Sequence, residues 1–303
     1  MATVNPQQKI ILIVGPTASG KSALAVDIAR RITGEVISAD SRQVYTGLDI
    51  GTGKITRREM RGVPHHLLDV ASPKKRFTVE RFVRLARAQI EDIARRKKIP
   101  IICGGTGFYI SALLGEENIP NVPANEALRT RLARLNADHL MRELKRFDPR
   151  RAKNIDPHNT RRIIRAIEIA RALGRVPAIQ KNKPQYTTLS IGLMPERTDL
   201  RERITKRLRA RMKHGMLAEA RRLHNKGLSW KRMDELGLEY RFLAQHLQGT
   251  ISKEEMLTKL DTEIWHYARR QMTWFKRDTR IKWFSPEQMT HVHAQINRFL
   301  KTR

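Results

Sequence analysis

The chain of 303 residues has a single cysteine, Cys103. One thiol cannot close an intramolecular disulfide, and no histidine stands at finger-like spacing from it, so a disulfide scaffold and a structural zinc site are excluded. Long apolar runs are also missing: no stretch approaches the ~20 residues needed to cross a bilayer. The opening MATVNPQQK has no apolar segment of its own before a cleavage site and does not read as a secretory signal. A reducing, cytoplasmic setting is expected. Acids are scarce, with 30 Asp+Glu against 60 Lys+Arg and a net charge of +30. The surplus runs through every segment instead of collecting in a tail, which favours a polyanionic partner, most often nucleic acid, over a merely solvated basic surface. No segment pairs a basic face with large exposed aromatics, so a membrane surface is a weaker partner. Repeats and low-complexity tracts are absent.

Hydrophobic residues make up 40% of the chain, enough for a core. Lys9 to Val14 reads KIILIV, a continuous apolar run of the kind buried on both faces in a parallel sheet. A glycine turn follows, then a helix from near Lys21 with Leu24, Ala25, Ile28, Ala29 and Ile32 on one stripe. A short strand over Val36–Ser38, a helix carrying Val79, Phe82, Val83, Ala86, Ile90 and Ile93 on one face, and a strand over Ile99–Cys103 continue the alternation. Such a pattern implies an α/β fold with a doubly wound parallel sheet, whose ligands bind beyond the carboxyl ends of the strands. From about Gly115 to Pro184 basic helical segments replace it, over Glu126–Leu135, Asp138–Phe147 and Thr160–Leu173. A strand resumes at Thr188–Leu193, helices dominate afterwards, and a last short strand is expected at Ile281–Phe284. The expected organisation is a core of residues 1–114 and 185–303 with a helical insertion at 115–184.

Gly15-Pro16-Thr17-Ala18-Ser19-Gly20-Lys21-Ser22 matches G-x-x-x-x-G-K-[ST] between a buried strand and a helix, the context that a phosphate-binding loop requires. Its backbone N–H groups and the helix N-terminus would converge on phosphate oxygens. Lys21 would add charge, and Ser22 could hold a Mg²⁺ ion directly or through water. The loop signals a diphosphate or triphosphate and says nothing of the rest of the ligand. A later strand ending in an acid would suggest a nucleotide-hydrolysing motor; here it ends Ile101-Ile102-Cys103-Gly104-Gly105, which weighs against one.

Asp40 ends the second strand on the edge that carries this loop. It could take a proton from a nucleophile attacking the bound donor, or cap the following turn. Arg42 and Gln43 are donors suited to base edges or phosphates. Thr106, in the second glycine turn Gly104-Gly105-Thr106-Gly107, would project a hydroxyl into the same crevice.

These segments together resemble the tRNA dimethylallyltransferases, also called isopentenyltransferases. The resemblance rests on Gly15–Ser22, Ile37–Lys54, Pro64–Leu67, Gly104–Ile110, Arg161–Glu168 and Tyr267–Phe275, in the family's order over nearly the whole chain. It implies a P-loop NTPase-like core that binds dimethylallyl diphosphate with Mg²⁺. Asp40 would act on the exocyclic amine of the adenosine just 3′ of the anticodon, with Lys21, the loop and an arginine absorbing the charge of the departing diphosphate. Arg203 and Arg207, four apart on a helix expected over Leu200–Met212, are the candidates for that arginine. Ser41, Arg42 and Gln43 would hold the base, Thr106 would touch it or its neighbours, and Arg161, Arg162 and Arg165 would grip the RNA. The helical insertion would carry much of the anticodon stem-loop, and a monomer is expected. No zinc-finger module of the eukaryotic relatives is present, so the chain looks like the shorter bacterial form.

Two places depart from the family pattern. Leu236-Gly237-Leu238-Glu239-Tyr240 stands where the family often has Ile-Gly-Tyr-Lys-Glu, so an acid replaces a base at Glu239 and weighs against an RNA contact there. Ile155–Asn159 is a loose match. Trp265, Trp274 and Phe275 fit the packing of a terminal helix better than base stacking. Two rival readings remain: a small-molecule kinase using ATP, which leaves the charge and the later arginine motifs unexplained, and an RNA-binding protein without activity, against which Lys21, Ser22 and Asp40 speak.

Overall fold

The computed structural model describes residues 8–117, 119–178 and 185–302. The chain divides into two compact units, Met1–Leu114 with Lys183–Arg303, and Gly115–Asn182. The opening segment and the upper bound expected for the insertion, at 184, lie outside the described residues.

In the first unit β1 (Lys9–Val14) leads through the glycine loop into α1 (Lys21–Ile32), β2 (Gly34–Ser38), α2 (Arg57–Met60) and β3 (His65–His66). Then come α3 (Val79–Arg95), β4 (Ile99–Gly104) and α4 (Gly107–Leu113). The second unit holds α5 (Glu126–Leu132), α6 (Ala137–Phe147), α7 (Pro149–Lys153) and α8 (Thr160–Leu173). The chain continues with β5 (Thr187–Leu193), α9 (Arg197–Lys213), α10 (Met216–Asn225), α11 (Trp230–Leu236), α12 (Leu238–Leu247), α13 (Lys253–Phe275), β6 (Lys282–Phe284) and α14 (Met289–Lys301).

The six strands form one sheet in the order β3-β2-β4-β1-β5-β6, and every neighbouring pair is parallel. Alternation along each strand splits the core in two. Ile10, Leu12 and Val14 face the layer built by α3, α4 and the helices after β5. Ile11 and Ile13 face α1 and α14. Covering both faces explains why β1 is apolar at every position but its first. In α3 the buried residues Phe82, Ala86, Ile90 and Ile93 recur at helical spacing, and Thr78 caps its start by accepting from the N–H of Arg81 at 3.3 Å.

Register decides where the chemistry lies. Val14 pairs with Gly104, and Ser38 with Cys103. Strands β1, β2 and β4 therefore end at one level, and the phosphate-type loop, Asp40 and Thr106 all leave the same edge of the sheet.

In the second unit Asn125, Asn136, Asp148 and Asn159 each accept a bond from a backbone N–H three residues on, at 2.8–3.1 Å, and so start the four helices. A small core of Leu132, Leu140, Leu144, Ile163 and Ile167 joins them. No strand occurs there among the described residues. The two-residue strand β3 was not expected from the sequence, because Pro64-His65-His66-Leu67 has no alternating apolar pattern. His65 pairs with Val36 only because β2 offers it a free edge.

Candidate active site

The loop after β1 turns its backbone N–H groups inward. Gly20 takes φ 96° and Ala18 takes φ 63°, left-handed conformations that turn successive N–H groups toward one point. Helix α1 then begins with no side-chain cap and no acid in its first turn, so its N-terminal N–H groups and positive dipole end stay uncompensated. The Lys21 ammonium donates to Pro16 O at 3.1 Å, which leaves two of its three N–H donors for another acceptor. Burial pushes its pKa below the ordinary lysine value, partly offset by Cys103 and Asp40, while Arg207 lowers it further. The buried Cys103 thiol, pushed up to about 11, stays protonated beside it.

A single pocket is lined by Thr17, Lys21 and Ser22 from the loop, by Asp40, Ser41, Arg42 and Gln43 from the end of β2, and by Arg207 from α9. Glu239 of α12 and Ile264, Tyr267 and Gln271 of α13 close it. Asp40 caps the turn that follows it through one carboxylate oxygen. Its Oδ1 accepts the N–H groups of Arg42 (2.8 Å) and Gln43 (3.3 Å), while Oδ2 accepts no bond among the described residues. Thr106 accepts the Ser41 N–H at 3.0 Å through its hydroxyl, so it holds the segment after Asp40 in place. Burial raises the Tyr267 phenol, which lies in the same pocket. Gln271 ties the two glycine turns together: Oε1 accepts the Thr17 N–H at 2.8 Å, and Nε2 donates to Gly105 O at 2.9 Å.

Arg207 is held by the loop at the end of the Ile37–Lys54 segment. Its Nη2 donates to Gly53 O at 2.8 Å, and Arg211 Nη1 donates to Gly51 O at 2.7 Å. The loop itself is clamped by Glu219 of α10, 3% exposed. That carboxylate accepts the N–H groups of Asp49, Ile50 and Gly51 at 3.0, 2.7 and 2.9 Å and the Tyr240 hydroxyl at 2.7 Å. Burial lowers the pKa of Arg207, chiefly by desolvation and then by Arg211. A guanidinium remains charged under any such shift, and a desolvated cation gains most from a bound anion.

Residues 43–278 match the family model described as IPP transferase. The chain is 45% identical over 268 residues to "tRNA dimethylallyltransferase 2" of Citrifermentans bemidjiense, covering 88% of this chain and 86% of that one. It is 38% identical over 298 residues to "tRNA dimethylallyltransferase" of Anoxybacillus flavithermus, covering 97% and 95%. The crystal structure of the full-length tRNA isopentenylpyrophosphate transferase of Bacillus halodurans superposes with a TM-score of 0.74 at 35% identity, over 97% of each chain. The chain belongs to the IPP transferase family.

The site of this IPP transferase gathers most of the residues singled out from the sequence. Thr17, Lys21, Ser22, Asp40, Ser41, Arg42, Gln43 and Arg207 line one pocket, and Thr106 is bonded to Ser41. Gly15, Pro16, Ala18, Ser19 and Gly20 form the rest of the loop. Arg203 is not among the lining residues. One turn back on α9 it is held by Asp199 at 2.8 and 2.9 Å instead; two residues four apart are offset by about 40° and 6 Å along a helix, enough to separate them here. In the second unit Arg161 and Arg162 are exposed. Arg165 is bound to the buried Glu168 and donates to Val122 O at 3.0 Å, so its guanidinium is spent within the fold.

Glu239, which replaces a base in the family pattern, lines the pocket and pairs with Arg211 at 3.0 Å. Its neighbour Tyr240 bonds Glu219, so both side chains of that segment are satisfied inside the chain. His65 Nδ1 donates to Val63 O (2.9 Å), and His66 meets the buried Glu35 at 2.8 Å. No group of three or more metal-ligating side chains occurs among the described residues. Nor is any helix among them long and apolar enough to cross a membrane. Of the three aromatics expected in the core, Phe275 is buried, whereas Trp265 and Trp274 are only partly so. Glu219 and Tyr240 gave no usable signal beforehand, because an acid within a basic helix reads as solvated until its partners are known.

Proposed function

We propose that this protein transfers a dimethylallyl group from dimethylallyl diphosphate to the exocyclic amine of the adenosine immediately 3′ of the anticodon in tRNA, releasing diphosphate. The observation that carries the reading is one pocket holding a phosphate-type loop with Lys21 and Arg207 together with an Asp40 oxygen free to accept a proton. The names of the relatives above point the same way.

The diphosphate would rest on the loop amides, the start of α1, Lys21 and Arg207. An exocyclic amine is a weak nucleophile, so the step depends on drawing off the leaving group's charge with fixed positive groups. As the amine attacks, a carbon–nitrogen bond forms and the carbon–oxygen bond to diphosphate breaks. The amine's proton passes to Asp40 Oδ2, whose partner oxygen is pinned by backbone N–H groups and keeps the carboxylate oriented. Thr106 holds Ser41 beside it. Arg42 and Gln43 would contact the base, which must leave its stack to reach the pocket. A kinase would find the same loop useful but would have no need for the charge of +30.

The residues fit a Mg²⁺ ion held mostly by the diphosphate and water. Ser22 is exposed at the start of α1, and among the described residues no cage of acids surrounds it, the arrangement usual where Mg²⁺ arrives with its phosphate. That ion would supply further neutralisation of the leaving group. Arg161 and Arg162 would contact phosphates of the anticodon stem-loop, and the protein would act as a cytoplasmic monomer.

The test incubates the protein with Mg²⁺, labelled dimethylallyl diphosphate and unmodified total tRNA, then digests the RNA. Label should appear in adenosine, and Asp40→Ala should lower transfer by about 10²–10⁴-fold while tRNA still binds. Folded wild type that gives no labelled nucleoside with competent tRNA would overturn the reading.

A further inference from the structure

We propose that Phe108 and Trp274, with Arg277 beside them, form a stacking platform for a nucleobase flanking the adenine that enters the pocket. The proposal rests on the RNA-directed reading above.

Helix α13 lines the pocket with Ile264, Tyr267 and Gln271, spaced three and four apart on one stripe. Trp274 is the next position on that stripe, about 4.5 Å further along the axis. Its indole lies against Gly107, where an added Cβ would fall 2.1 Å from the ring. Only glycine permits this approach, and through it the indole meets the first turn of α4. There Phe108 stands edge-on to it, with ring centroids 6.4 Å apart and an interplanar angle of 84°. Phe108 follows Thr106 by two residues, so both walls of the pocket, the turn after β4 and helix α13, end in an aromatic ring.

Phe108 is 41% exposed. Burial against Trp274 alone would not leave so much of an apolar ring in water. In a chain with 6% aromatic residues, one placed outward beside the pocket calls for an occupant. Arg277 lies 6.0 Å from the Trp274 ring centroid, so the patch joins π-faces to a positive charge. Those are the two elements that bind single-stranded nucleic acid. When one base is drawn from its stack its neighbours lose a stacking partner, and a ring at the end of the pocket wall replaces it. A protein partner fits less well, because the patch is small and the chain's charge of +30 favours a polyanion.

The test uses an anticodon stem-loop RNA carrying 2-aminopurine next to the target adenine. Wild type, Phe108→Ala, Phe108→Leu and Phe108→Tyr are titrated, with circular dichroism checking each fold. Wild type and Phe108→Tyr should quench the probe. Phe108→Ala and Phe108→Leu should lose the quench and bind RNA about 5- to 100-fold more weakly. The slope of affinity against salt should hold, since stacking releases no counterion, and the KM for dimethylallyl diphosphate should not rise. A folded Phe108→Ala with wild-type quench and affinity overturns the platform. So does full rescue by leucine, which has apolar area but no π-face. If wild type transfers the prenyl group and Phe108→Ala matches it in RNA binding, only this inference fails. A wild type that neither binds nor modifies the RNA fails the functional reading as well.

Discussion

Glu219 of the pocket unit and Glu168 of the helical unit are both buried, and the two carboxylates are neutralised in opposite ways. Glu219 is met by three backbone N–H groups and a phenol. It organises a loop, and the nearby Arg207 keeps its charge for the pocket. Glu168 is met by Arg129 at 2.8 and 3.0 Å, by Arg165 and by the Asn125 N–H at 2.6 Å. Burial alone would raise the Glu168 carboxyl, but Arg129, Asn125 and Arg165 hold it below its ordinary value. Two guanidiniums are thereby consumed in holding α5 to α8. Counting positive charges therefore does not tell which arginines face a ligand; the nearest buried acid does.

The largest effect should come from the charge kept free in the first unit. Lys21→Ala is expected to reduce kcat/KM for transfer by about 10²–10³-fold. Because burial lowers the Lys21 pKa, the ammonium begins to lose its proton below the ordinary value of 10.5. Donor KM should accordingly rise with pH before that value is reached. Lys21→Arg, charged throughout, should remove that rise; a rise unchanged in this variant would assign it to another group.

The two glutamates can be set against each other directly. Glu219→Ala strands several buried donors and should cost roughly 3 kcal/mol in urea unfolding, with a higher donor KM because Arg207 loses its support. Glu168→Ala leaves guanidiniums that water can reach, side chains of Arg129 and Arg165 being 27% and 29% exposed, and should cost about 1–2 kcal/mol without moving donor KM. Equal effects on donor KM would erase the contrast.

Within the helical unit, Arg161→Ala and Arg162→Ala should each weaken tRNA binding and reduce the salt slope by about one. Arg165→Ala should lower stability and leave the slope in place. The smallest effect is expected at Arg203, whose exposed pair with Asp199 is worth about 0–1 kcal/mol. Arg203→Ala should change donor KM less than about twofold, within the range of ordinary surface substitutions; a tenfold rise would return Arg203 to the site.

Much of this was legible beforehand, because the signals are local. A two-sided apolar run announced β1, and the Gly15–Ser22 spacing announced the phosphate loop. Asp40 could be named from its place at a strand end. Its capping role could not be read, because it depends on Oδ1 meeting the N–H groups of Arg42 and Gln43 in space. Strand β3 escaped because two histidines carry no periodicity. Trp274 was assigned to packing because helix spacing alone cannot reveal a ring lying on Gly107.

The sequence by itself determined the α/β core, the anion-binding loop and the excess of positive charge, since each follows from residue types at short spacing. Tertiary structure decided how those pieces act. Parallel register brought Lys21, Asp40 and Thr106 to one edge, and contacts between residues more than a hundred positions apart clamped the loop that aims Arg207. Such pairings depend on three-dimensional approach, which spacing along the chain does not encode.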